Sequence, residues 1–133
     1  MLQLSIFLEN SQGRLAQVLS LLAELNVNIR ALSLADTKDF GVLRIMVDEP
    51  EAVAAKLKEQ ECVVSITPVW VLKVPDRAGG LAEVLNQLVV HGVIVEYMYA
   101  FVEPAEEAAQ VVIRVQDENV MREAMGKLTV PLS

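Results

Sequence analysis

The sequence predicts an α+β protein of two βαββαβ units in tandem, each an antiparallel sheet with its helices on one face. Three observations predict it. The first is a repeat: LENSQGRLAQVL at Leu8–Leu19 returns as VPDRAGGLAEVL at Val74–Leu85, an offset of 66 residues that sets Gly13 on Gly79 and Leu15 on Leu81. A repeat of about half the chain constrains the architecture more than any single motif does. The second is periodicity, which switches in each half between a strand period of two and a helix spacing of three and four. The third is order: the same succession of apolar patterns runs through both halves.

The elements follow in turn. Leu2, Leu4, Ile6 and Leu8 alternate with Gln3, Ser5 and Phe7, which predicts a strand with one buried face. Asn10, Ser11 and Gly13 break it, and Asn10 or Ser11 suits a helix cap. Leu15, Val18, Leu19, Leu22 and Leu25 then form a helical apolar stripe, with Asn26 suited to its C-terminal turn. Residues 27–35 predict a second strand, residues 36–41 a hairpin turn, and residues 42–47 the return strand. Asp48, Glu49, Pro50 and Glu51 mark a helix start, with Val53, Ala54 and Leu57 facing inward. Residues 61–67 predict a fourth strand.

The second half repeats this order. Strands are predicted over 69–74, 93–102 and 110–116, and helices over 79–91, closed by Gly92, and 117–126. A last strand falls over 127–132, weakened by Pro131. The expected units are therefore residues 1–67 and 68–133, meeting at Pro68 without a flexible linker. Each is a split βαβ, ferredoxin-like motif, whose helices cover one sheet face and leave edges open to pairing.

Composition narrows the function classes. A unit of half of 133 residues has a marginal core, so the halves are expected to pack together and the chain to form a homodimer. The 53% hydrophobic and 22% charged content excludes a disordered chain. A net charge of −7 repels phosphate backbones, so no nucleic-acid partner is expected. The single cysteine, Cys62, forms no internal disulfide, and no signal-like segment or apolar run of about 18 residues occurs. A cytoplasmic chain without membrane contact is the simplest expectation.

The loop chemistry suits an amino acid. An α-carboxylate needs N–H donors, and the first turn of a helix has several without partners. Gly13, Gly79 and Gly80 allow close approach to the backbone, and Asp76 or Asn10 offers an acceptor to an ammonium. The same residues read equally as helix caps and turn formers. Arg30 and Glu96 correspond at the repeat offset, and either line a shared site, pair with each other, or face solvent. Arg44 and Arg114 both lie in the return strands and are expected to face solvent or a carboxylate. Tyr97, Met98, Tyr99 and Phe101 suit packing, Cys62 a buried strand position, and His91 a helix C-terminus. Glu103, Glu106 and Glu107 suit a solvated loop. No P-loop, metal-ligand spacing or nucleophile–base signature is present, and no cofactor is expected.

The sequence resembles tandem ACT-domain proteins over nearly all of both halves. The resemblance rests on Val74–Leu85 and on GVIVEYMYAF at Gly92–Phe101, and in the first half on ENSQGRLA at Glu9–Ala16 and NVNIR at Asn26–Arg30. Ala78 departs from the proline common in the D-R-P-G form, and Ile94 from the asparagine of the N-I pair at the second strand. The first half has Asn10-Ser11-Gln12-Gly13 instead of that form, so either half is open as the binding one.

The resemblance implies ligand binding between the strand-to-helix loop of one unit and the second strand of another. The implied contacts are Asp76, Arg77, Ala78, Gly79, Gly80 and Leu81 with Glu96 and Tyr97. In the first half they are Asn10, Ser11, Gln12, Gly13, Arg14 and Leu15 with Asn28 and Arg30. It implies a non-catalytic regulatory protein that binds an amino acid and modulates a partner enzyme of amino-acid metabolism. The rival expectations are a structural interaction module pairing through its sheet edges and an enzyme using Asp76 and Glu96.

Overall fold

A computed structural model describes residues 1–9, 11–36, 39–102 and 108–128. The chain divides into two compact units, Leu2–Pro68 and Val69–Ser133, the latter with Met1.

In the first unit the order is β1 (Leu2–Glu9), α1 (Arg14–Glu24), β2 (Ala31–Asp36), β3 (Phe40–Met46), α2 (Pro50–Glu59) and β4 (Val63–Pro68). The sheet order is β2-β3-β1-β4, antiparallel throughout. Alternation sets the register: Leu4 pairs with Ile45 on one side and Ile66 on the other. Leu4, Ile6, Leu8, Leu43 and Ile45 turn one face towards Val18 and Leu22 of α1 and Val53 and Leu57 of α2. Each fully buried leucine of this kind contributes about 1.5–3 kcal/mol.

In the second unit β5 (Trp70–Pro75), α3 (Gly80–Val90), β6 (Val95–Ala100), β7 (Ala108–Val115) and α4 (Glu118–Lys127) follow the same path. The sheet order is β5-β7-β6, again antiparallel. Leu72, Val74, Ile113 and Val115 meet Val84, Leu88 and Met121. Both units have the ferredoxin-like fold expected from the repeat. The predicted last strand, apart from Lys127 and Leu128, lies outside the described residues, as do Glu103, Glu106 and Glu107.

Helix ends obey local chemistry. Asn26 and Gly92 take the left-handed conformation after α1 and α3, with φ of 57° and 80°. Pro50 opens α2, where its missing N–H costs nothing. Asp117 caps α4 by accepting from the N–H groups of Asn119 and Val120 at 2.9 and 3.2 Å. His91 closes α3, its Nδ1 2.9 Å from the Gln87 carbonyl, so that nitrogen carries the donated hydrogen. Cys62 is buried and free.

Four expectations change. The second strand begins at Ala31, not at residue 27, so Asn28 and Arg30 lie in the lead-in to β2. Val27 and Ile29 still pack on the core, which explains the strand-like alternation there. Likewise β6 begins at Val95. Gln3 and Ser5 are buried although they lie off the apolar face of β1, with Gln3 Nε2 donating to Ser5 Oγ at 3.0 Å. Finally, α4 extends through Lys127, so the last helix claims a residue expected in the strand.

Candidate functional site

The two strand-to-helix loops fold alike. In the first, the Ser11 N–H donates to the Glu9 carbonyl, Arg14 to Ser11 and Gln17 to Gly13, at 2.8, 3.2 and 3.0 Å. In the second, Arg77 donates to Pro75, Gly80 to Arg77 and Glu83 to Gly79, at 2.9, 3.0 and 3.0 Å. Gly13 and Gly79 hold φ of 81° and 83°, a conformation that glycine adopts without a Cβ penalty. They are the N-cap residues of α1 and α3, and neither helix has a side-chain cap among the described residues.

This corrects the capping reading. Asp76 sits at the centre of the three-residue turn closed by Arg77 and Pro75, exposed and without a hydrogen bond among the described residues. Ser11 uses its carbonyl, not a cap side chain, to hold Arg14. Asn10 lies outside the described residues. The N–H groups of Leu15, Ala16, Leu81 and Ala82 have no partner among the described residues. Each loop thus presents two donors at the positive end of a helix dipole.

The loops differ in their side chains. Gly80 is buried against Pro75, so its glycine serves packing and not approach of a ligand. Its N–H is also engaged by Arg77. Gly13 and Gly79 instead face open space. Arg77 is exposed and pairs with Glu83 at 2.7 Å; Gln12 and Ala78 are exposed, each in its own loop. Leu81 is 40% exposed and Leu15 is half-buried.

Glu96 is the extra residue of a β-bulge, because Val95 faces Val115 while Tyr97 already faces Arg114. Glu96 reaches Arg114 at 3.5 Å, and Arg114 reaches Glu118 at 3.2 Å. Glu118 in turn accepts from the Trp70 indole N–H at 2.9 Å. Arg114 thus meets carboxylates, one of its two expected surroundings; sequence reasoning missed Trp70 and Glu118, whose signal was a tryptophan needing an acceptor and a glutamate at a helix start. Arg30 reaches Asp48 at 3.3 Å. Asn28 lines a separate hollow with Asp48 and Lys56.

Within a unit, these second-strand residues are not brought to the loop. Each loop opens an 11-residue helix and the second-strand candidates follow its far end, about 16 Å away along the axis.

The first loop does border a hollow of about 390 Å³, lined by Phe7, Glu9, Arg14, Asp39, Phe40 and Glu61 among others. Of these six, sequence reasoning named Arg14 alone as a ligand contact. The missed signal was Phe7, an aromatic on the polar side of an alternating strand. No cluster of three or more His, Cys, Asp and Glu side chains placed to hold a metal ion occurs among the described residues. None of their helices is long and apolar enough to cross a membrane.

A family model described as an ACT domain pair matches residues 1–128. No curated protein matches the chain in sequence. Among solved structures, a protein from Bacteroides thetaiotaomicron is similar, with a TM-score of 0.90 and 40% identity over 99% of this chain and 90% of that one. The ligand-free regulatory subunit of aspartate kinase from Thermus thermophilus is similar at a TM-score of 0.57 and 16% identity, covering 94% and 90% of the two chains. The corresponding subunit from Thermus flavus gives 0.54 and 14% over 94% and 90%. At those identities the two Thermus structures carry the fold alone.

Proposed function

We propose, because this chain belongs to the ACT domain pair family, that it is a non-catalytic regulatory protein whose ligand is an amino acid. The observation that carries the reading is the pair of matched loops. Each places N–H donors without described partners at a helix N-terminus, beside a left-handed glycine open to solvent. Such a terminus favours a carboxylate. Residues 1–67 and 68–133 each supply one such loop. Asp76–Leu81 is the primary seat and Asn10–Leu15 the second, with Asp76 accepting from the ammonium.

Asn28 and Arg30, or Glu96 and Tyr97, complete a seat only when contributed by another unit, since each stands a helix length from its own loop. The working form is a homodimer, and ligand shifts how it engages a partner enzyme of amino-acid metabolism. It does so only through different affinity for the two states. A cytoplasmic setting suits the free, buried Cys62.

A thermal-shift screen against the common amino acids tests the reading. At least one is expected to raise the melting temperature in a concentration-dependent way. If none binds at millimolar concentration, the chain is a structural module pairing through its sheet edges.

A further inference from the structure

We infer that the hollow beside the first loop selects a basic amino acid: a zwitterion carrying a second cation on an aliphatic stem. The inference rests on the amino-acid reading above and names the ligand class of the first-half seat.

The hollow, at about 390 Å³, falls within the usual size of small-ligand sites. Arg14, the first residue of α1, lines it half-buried and has no partner among the described residues. Its guanidinium fork matches a carboxylate in bidentate geometry. It projects from the same turn as the free N–H groups of Leu15 and Ala16. Three donor groups therefore come from one helix end.

Among the described residues the remaining polar lining is acidic. Glu9 comes from the end of β1, Asp39 from the hairpin and Glu61 from the turn before β4. All three are exposed and without a partner among the described residues. Three carboxylates against one guanidinium leave the described lining net negative. A neutral zwitterion engages Arg14 and one acid, and leaves the others unanswered. A second cation on the ligand answers them, whereas an acidic side chain is repelled. Phe7 and Phe40, 41% and 47% exposed, supply ring faces for the aliphatic stem and for cation–π attraction.

The second unit does not repeat this chemistry. The repeat sets Lys73 on Phe7, Pro75 on Glu9 and Gly80 on Arg14. One such seat per chain follows.

Titration calorimetry on the full chain tests this with three probes: L-lysine, L-norleucine and 1,5-diaminopentane. Norleucine keeps the stem without the second ammonium, and diaminopentane keeps both ammonium groups without the carboxylate. Lysine is expected to bind once per chain and roughly tenfold or more tighter than either. Arg14→Gln should bring lysine towards the affinity of diaminopentane, and Glu61→Gln or Asp39→Asn towards that of norleucine. If norleucine binds as tightly as lysine, the ligand class is wrong. If lysine binding survives both Arg14→Gln and Glu61→Gln, the seat is wrong. In those two cases the amino-acid reading stands. If no common amino acid binds at millimolar concentration, that reading falls and this inference with it.

Discussion

Gly80 rests directly on Pro75: a Cβ at position 80 would stand 2.1 Å from the Pro75 carbonyl oxygen. The obstacle is backbone, which cannot swing aside as a flexible side chain does. The first unit carries Arg14 at the matching place, with Glu9 in place of the proline. The two loops therefore share hydrogen bonds but not this close approach. The difference lets one helix start carry a guanidinium while the other is sealed against its own strand.

Gly80→Ala should accordingly destabilise the chain by about 1–3 kcal/mol, as overpacking does. Gly79→Ala meets open space, yet its φ of 83° should cost about 1–2 kcal/mol. Urea unfolding measures both. Unchanged stability in Gly80→Ala would show that the turn can open at little cost.

The loops were legible in the sequence because glycine, polar residues and the helical stripe recur at a fixed offset. Their detail was not. A turn centred on Asp76 and a helix cap at Asp76 need the same residue types, and only the backbone path separates them. The strand ahead of Ala31 was misread because Val27 and Ile29 alternate inwards as strand residues do. The bulge at Glu96 depends on register with β7, which no local pattern encodes. The hollow near Arg14 joins three segments distant in sequence, so Glu9, Asp39 and Glu61 gave no joint signal.

The Trp70–Glu118 hydrogen bond should stabilise the second unit measurably. Glu118 also holds Arg114, and their side chains are 33% and 25% exposed, so screening is partial. Glu118→Ala is expected to cost about 1–2 kcal/mol. A double-mutant cycle with Trp70→Phe should give a coupling of about 0.5–1.5 kcal/mol. Trp70 is the single tryptophan, so its emission reports the change directly. Zero coupling would mean that the indole exchanges this acceptor for water without loss.

Assembly is expected because apolar side chains stand uncovered in each unit. Leu32 and Leu34 on the edge strand β2 are 43% and 50% exposed. Val89, Val90 and Ile94 are exposed in the second unit, where the repeat places Ala23, Glu24 and Asn28 in the first. Light scattering at tens of micromolar, roughly where weak dimers form, should report a dimer. A monomer there would count against the homodimer.

Asp76 gives the most direct test of the second-half seat. Its side chain caps nothing, and α3 begins at Gly79 without it. Asp76→Asn keeps the size and removes the charge, so the melting temperature without ligand should hardly move. Amino-acid binding at the second-half seat should weaken roughly ten- to a hundredfold, because a charge-assisted hydrogen bond to the ammonium becomes a neutral one. Raising ionic strength should narrow the gap between the two proteins, since Asp76 is exposed and its field is screened. The outcome divides the two halves. If Asp76→Asn binds the ligand as wild type does while Arg14→Gln does not, the second-half loop keeps the family's backbone but binds nothing, and regulation runs through the first.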